Sequence, residues 1–181
     1  MIELRVYALS AVGCVPSWGY WALLVVFCIG AACLLWRKGV RAGLRASAVL
    51  LLMEWVLLVL AIAVVCRESG VGHRVSLVPL SSYFAIAENS YFREAAAINI
   101  LNVVMFVPVG FLLGCGFPGM TWRRVLCVAV VLSVGIEVLQ LLLRRGLCET
   151  DDVLHNVVGA LMGDGIARLL FLAHRGQGCN R

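Results

Sequence analysis

Long apolar runs of membrane-spanning length recur along this 181-residue chain. The first, from Trp18 to Trp36, contains no charged residue and has tryptophans at both ends. About 20 apolar residues are needed for a helix to cross a bilayer, and Trp side chains gather at its two surfaces. Only 14% of the residues are charged, against about 25% in an average soluble domain. These runs predict an all-α fold: a polytopic transmembrane helical bundle of about five helices, without the short alternating strands of a barrel.

The predicted spans and regions follow from where these runs begin and end. The five spans are Trp18–Trp36, Ala46–Cys66, Asn99–Gly116, Arg123–Leu143 and Asp152–Leu172. Residues 1–66 form an N-terminal two-span segment, and residues 67–98 form a loop outside the cytoplasm.

Basic residues set the predicted orientation. Arg37, Lys38, Arg41 and Arg45 follow the first span with no acid among them, and such clusters stay on the cytoplasmic side. We therefore predict a multi-pass protein of the cell membrane, with its N-terminus outside and its C-terminus in the cytoplasm. The basic residues that give the net charge of +5 cluster at the ends of apolar runs. We therefore expect membrane lipids and no nucleic acid as partners.

The eight cysteines include no C-x-x-C pair and no Cys/His cluster, so we expect no metal and no cofactor. Most of them lie in apolar runs, where Cys behaves as a small hydrophobic residue. Cys66 and Cys148 fall on the predicted outer side, where a disulfide is chemically allowed. Their spacing does not determine whether they pair.

Polar residues gather at the turn between spans four and five. Glu137 and Gln140 are three residues apart and share a helix face, which Arg144 extends four residues later. Asp152 and Asn156 are four apart at the start of span five. A carboxylate inside an apolar segment is costly in lipid and marks a functional or pairing site. We expect a helical hairpin whose polar ends converge in a pocket near the outer surface.

Glu137 lies about 10 Å below Arg144 at 1.5 Å per residue, within the hydrocarbon. It must be protonated or paired there. Arg144 and Arg145 are candidate partners, and so is Asn102 on the third span, whose amide could donate a hydrogen bond to it.

Two interpretations of Asp151 and Asp152 stay open. Acids at a helix N-terminus meet the positive end of its dipole and can cap it. Alternatively, one of them projects into the pocket of Glu137, where two carboxylates in different environments divide acid and base roles. His155, four residues after Asp151, could bond to it on the same face.

Spans three and five supply further candidates. Asn99 and Asn102 could cap the third span or line the pocket, and Pro108 should kink that span. Gly159 and Gly163 form a G-x-x-x-G pair, which permits close packing of helices. Asp164 and Arg168 are spaced for an ion pair near the inner surface; they are four residues apart.

Three ordered motifs resemble those of VanZ-like membrane proteins. Asn99–Leu113 is similar to that family's N-x-x-x-F-x-P-x-G-F-L-L, Ser133–Gln140 to its S-x-x-x-E-x-x-Q, and Asp151–Gly163 to its D-D-x-x-x-N-x-x-G-x-x-x-G. A weaker match is L-V-P-L at Leu77–Leu80. The resemblance covers residues 74–172, which we therefore predict to be a VanZ-like domain containing spans three to five.

The resemblance implies a role in the cell envelope. The family's namesake lowers susceptibility to the lipoglycopeptide teicoplanin, and no biochemical activity is firmly assigned to the family. The positions that match its motifs are Asn102, Pro108, Glu137, Gln140, Asp152 and Asn156.

Three functional hypotheses follow. In the first, the protein modulates the bacterial envelope and confers antibiotic resistance, its outer pocket binding a lipid, a lipid-linked cell-wall precursor or a lipoglycopeptide. In the second, it is an enzyme, a hydrolase or transferase, that acts on such a lipid with Glu137 and Asp152 as acid and base. In the third, the polar residues only hold the helices together.

Overall fold

The computed structural model describes residues 13–66, 75–76, 92–145 and 148–178. Four of its helices are long and apolar enough to cross a membrane, so the predicted all-α transmembrane bundle is confirmed. The elements in chain order are α1 (Ser17–Leu60) with a π-helical turn (Ala61–Val65), β1 (Val75–Ser76), α2 (Phe92–Gly116), α3 (Trp122–Leu143), β2 (Cys148–Glu149) and α4 (Thr150–Gly178). The two-residue strands β1 and β2 pair in parallel.

Helix α1 contains both of the first two predicted spans, which is why the structure has four long helices and not five. Its 44 residues would extend about 66 Å if straight. The helix is broken at Gly39, whose φ of 73° and ψ of 171° are readily adopted only by glycine. Beyond the break, a Cβ on Gly43 would lie 2.8 Å from the Cα of Leu35. The chain therefore folds back at Gly39 without an intervening loop.

A disulfide closes the open end of this folded helix. Cys14 and Cys66 are bonded, with their Cα atoms 5.7 Å apart. Residues 17–38 are thus a first arm and residues 40–65 a second arm, running in opposite directions. The sequence left open a pairing of Cys66 with Cys148, and the partner of Cys66 is Cys14.

Helices α2 and α4 run parallel to each other in close contact. A Cβ on Gly163 would lie 2.7 Å from the backbone nitrogen of Phe111, and a Cβ on Gly110 would lie 2.8 Å from the Cα of Ala160. Gly159 faces the backbone of α2 one turn earlier, at Val103. The packing role predicted for the G-x-x-x-G pair is confirmed. Parallel packing fits spans that cross the membrane in the same direction.

A cluster of basic residues lies at one end of the bundle. A Cβ on Gly116, at the end of α2, would lie 2.8 Å from the side chain of Val49, so the start of the second arm lies beside the α2–α3 turn. Arg168 donates to the carbonyl of Met120 in that turn and forms the predicted pair with Asp164, both at 2.7 Å. The cations at this end are Arg37, Lys38, Arg41, Arg45, Arg123, Arg124 and Arg168.

We predict that Gly163→Ala destabilises the bundle by about 1–3 kcal/mol, the usual range for an overpacked contact. The new methyl group would meet the backbone of α2, which no change of rotamer can move aside. Thermal unfolding of the purified protein in detergent measures the effect.

Gly165→Ala is the matched control, because no atom lies within 4 Å of the position that its Cβ would take. Both substitutions raise intrinsic helix propensity equally. Equal melting temperatures for the two variants would contradict the close α2–α4 packing.

Candidate functional site

A polar cleft lies between the second arm, α2, α3 and α4, at the end of the bundle opposite the basic residues. The room in it for water-sized molecules is small, about 10 Å³. Its apolar lining residues are Val59, Ala63, Met105, Phe106 and Ile136, and its polar ones are Asn102, Glu137, Gln140, Asp152 and Asn156. All five polar residues were among the sequence-derived candidates, although helix capping was left open as the alternative for Asn102 and Asp152, and the structure brings them together.

Glu137 is hydrogen-bonded to the residue that immediately precedes α4. Its side chain is only 4% exposed, and its Oε2 accepts a hydrogen bond of 3.0 Å from the backbone N–H of Glu149. Glu149 immediately precedes α4, so the carboxylate lies near the positive end of that helix dipole. A backbone N–H and a helix N-terminus both stabilise a buried negative charge, which accounts for a glutamate at this depth.

Asp152 faces α2 across the cleft. Its side chain is 3% exposed, and its Oδ1 accepts a 2.7 Å hydrogen bond from the amide of Asn102. Of the two interpretations left open, projection into the pocket of Glu137 therefore holds for Asp152. Asn102, a candidate partner of Glu137, donates to Asp152.

Asp151 is buried outside the cleft lining. Its backbone carbonyl lies 2.6 Å from Nδ1 of His155. Because a carbonyl oxygen only accepts hydrogen bonds, Nδ1 is the donor in this contact.

Gln140 connects α3 to the end of the second arm. Its Nε2 donates to the carbonyl of Ala63 at 2.7 Å. The last carbonyls of a helix need partners beyond the helix itself, and Ala63 belongs to the π-helical turn that ends the arm. Arg145 donates to the carbonyl of Val65 in the same turn.

Arg144 and Arg145, two of the three candidate partners of Glu137, are not among the residues that line the cleft. Helix α3 ends at Leu143, and Arg144 follows in the left-handed conformation with φ of 52°. The spacing rule that placed Arg144 on the face of Gln140 assumes a continuing helix, so it fails at this cap. Arg144 is exposed, and Arg145 is held by Val65.

Ser133, named so far only as the first residue of a motif, is a buried neighbour of the cleft residues. Its hydroxyl oxygen accepts a 2.8 Å hydrogen bond from the amide of Asn156, and its side chain is fully buried. Ser133 lies four residues before Glu137 and so shares its helix face, which is the signal that could have identified it. The backbone carbonyl of Ala63, which accepts the bond from Gln140, cannot be recognised from the sequence.

The remaining predicted residues lie in α2 outside the cleft lining. Asn99 is buried one turn before Asn102. Pro108 lies within the helix, where it removes one backbone hydrogen bond. Near it, the indole of Trp55 donates to the carbonyl of Met105 at 2.9 Å, which ties the second arm to α2.

In the described ranges, no group of three or more His, Cys, Asp or Glu residues is placed to hold a metal ion. The described lining offers two carboxylates and three amides, which can bind a polar group.

Comparison with known proteins places this architecture in a family. Protein VanZ of Enterococcus faecium is 33% identical over 72 residues, which are 40% of this chain and 42% of that protein. The aligned part is thus less than half of the relative's length. No solved structure matches the chain. The VanZ/LLP1 family model matches residues 46–171, from the second arm through the membrane-spanning part of α4, and so includes an arm that lies outside the predicted 74–172 domain. The chain belongs to the VanZ/LLP1 family of membrane proteins.

Proposed function

We propose that this protein modulates the cell envelope by binding a lipid or a lipid-linked cell-wall precursor in the cleft, and that it thereby lowers susceptibility to lipoglycopeptides such as teicoplanin. The observation that carries the proposal is the convergence of two buried carboxylates and three amides at one end of an otherwise apolar bundle. Polar groups at membrane depth are costly and are kept where they line a functional cavity.

The proposal requires the cleft to face the outside of the cell. Two features support this orientation, with the N-terminus outside and the C-terminus in the cytoplasm. Seven of the described basic residues lie at the end opposite the cleft, against Arg144 and Arg145 at the cleft end, and clusters of Lys and Arg stay cytoplasmic. The Cys14–Cys66 disulfide lies at the end of the second arm that borders the cleft, and disulfides persist in oxidising compartments.

We predict that Arg144→Cys reacts with a membrane-impermeant maleimide in intact cells, whereas Arg124→Cys reacts only after permeabilisation. Both side chains are exposed, and they lie at opposite ends of α3. The wild-type protein, which carries the native cysteines, measures the background. Labelling of Arg124→Cys but not of Arg144→Cys in intact cells would reverse the orientation and remove the basis for an outward-facing cleft.

We predict that expression in a sensitive Gram-positive host raises the inhibitory concentration of teicoplanin severalfold and that of vancomycin, which lacks an acyl chain, much less. Asp152→Asn should abolish the effect, because it removes a charge from the cleft while Oδ1 can still accept from Asn102. Gly165→Ala, a substitution into open space on α4, should keep it. Unchanged susceptibility with the wild-type protein confirmed in the membrane contradicts the proposal.

A second candidate function, enzymatic acid–base chemistry on a lipid headgroup, is favoured by one observation. Glu137 and Asp152 line the same cleft but have different partners, a backbone N–H for one and a side-chain amide for the other. General acid–base groups typically contribute about 10²–10⁴-fold to rate. Lipid extracts of the same strains separate the two functions. An enzyme alters the abundance of a lipid in the wild-type strain but not with Glu137→Gln, whereas a binding protein leaves the lipids unconverted.

A further inference from the structure

We propose that the basic end of the bundle is a binding surface for anionic phospholipid headgroups. This basic surface consists of two segments: residues 36–45, around the break at Gly39, and residues 117–124, which form the α2–α3 turn and the start of α3. It lies at the opposite end of the bundle from the cleft, so the inference does not depend on what the cleft binds. Packing, charge and exposed aromatic side chains support it.

Packing makes the two segments neighbours. A Cβ on Gly116 would lie 3.7 Å from the carbonyl oxygen of Arg45, so the backbone that follows the break passes directly beside the end of α2. The α2–α3 turn begins at that point, and Arg168 of α4 donates to the carbonyl of Met120 within it. The cations of the two segments therefore lie around the same turn, although they are far apart in the sequence.

The basic surface carries positive charge that no acid of its own segments balances. Residues 36–45 and 117–124 contain neither Asp nor Glu, whereas Arg168 beside them is paired with Asp164. Because the chain folds back at Gly39, the cations of the two arms are held close together, and like charges repel. Anions bound over the surface lower this repulsion. The exposed cations are Arg37, Lys38, Arg41, Arg45, Arg123 and Arg124.

Exposed apolar side chains among these cations indicate a lipid and not an anion in solution. Trp36 is 92% exposed and Trp122 is 54% exposed, and Trp side chains gather at the boundary between bilayer and water. The guanidinium of Arg123 lies 5.6 Å from the centroid of the Trp122 ring, which holds a cation beside that ring. Val40 and Leu44 are exposed as well. A phospholipid offers a phosphate to the cations and acyl chains to these apolar groups.

The chemistry of the cations favours a headgroup with a net negative charge. Five of the six are arginines, whose planar guanidinium binds the oxygens of a phosphate through two parallel hydrogen bonds. Phosphatidylcholine and phosphatidylethanolamine also carry a phosphate, but the ammonium group of each balances its charge. Phosphatidylglycerol has no such group, so it is the headgroup that a surface of unbalanced cations attracts.

The test uses the purified full-length protein in phosphatidylcholine nanodiscs, with the melting temperature read as another lipid replaces phosphatidylcholine. We expect phosphatidylglycerol to raise the melting temperature until the effect saturates, and phosphatidylethanolamine not to raise it. About 0.5 M salt should weaken the effect, because salt screens exposed charges. Inorganic phosphate, added in solution, is the soluble arm. An effect of phosphate equal to that of the lipid overturns the lipid assignment, and equal effects of the two lipids overturn the selection by charge.

Three variants locate the surface. Arg41→Gln and Arg124→Gln each remove one exposed charge, from different segments of the basic surface. Each should raise the fraction of phosphatidylglycerol needed for half of the effect about fivefold, as is typical of one cation near an anionic bilayer. Arg144→Gln is the matched control, because Arg144 is equally an exposed arginine but lies at the other end of α3. It should respond as the wild-type protein does.

Two results with these variants would overturn the inference. Equal losses in all three would mean that net charge acts regardless of its place, and an unchanged response in both Arg41→Gln and Arg124→Gln would mean that the basic surface does not bind the lipid. If one of the two fails to fold, Lys38→Gln, which removes another exposed charge of the same surface, takes its place.

Discussion

A buried carboxylate that has to be compensated within the membrane organises the cleft end of this bundle. Glu137 accepts a hydrogen bond from the backbone N–H of Glu149, at the positive end of α4. This contact ties α3 to the residue just before α4. Between the same two helices Ser133 accepts a hydrogen bond from Asn156, and Gln140 donates to the second arm. Each of these bonds satisfies a polar group that would otherwise be costly in lipid.

The α2–α4 contact determines which partners the polar residues find. Glycines bring the two backbones so close that side chains as short as Asn102 and Asp152 bond directly across them. If α2 and α4 were farther apart, Asn102 and Asp152 could not form this hydrogen bond. The G-x-x-x-G spacing therefore acts on the site as well as on stability, because it sets the register in which α2 presents Asn102.

Spacing along one helix could be predicted from the sequence, and contacts between helices could not. Glu137 with Gln140, and Asp152 with Asn156, share faces because they are three or four residues apart, and all four line the cleft. Asn102 was placed in the right pocket but given Glu137 as a candidate partner, because the choice depends on how α2 crosses α4. Arg144 was misplaced because it is itself the left-handed residue that caps α3. Five spans were predicted and four helices of spanning length are described, because the first two apolar runs belong to one helix that is broken only at Gly39.

The first arm is connected to the cleft without lining it. The family match begins at residue 46, so it leaves this arm out. Yet the disulfide joins the residue just ahead of the first arm to Cys66, which directly follows the π-helical turn. That turn supplies the carbonyls of Ala63 and Val65 that receive Gln140 and Arg145. Three interactions thus hold the π-helical turn in place. Two are the hydrogen bonds from Gln140 and Arg145, and the third is the disulfide just after the turn. Because Ala63 is part of the cleft wall, a segment outside the family match restrains that wall.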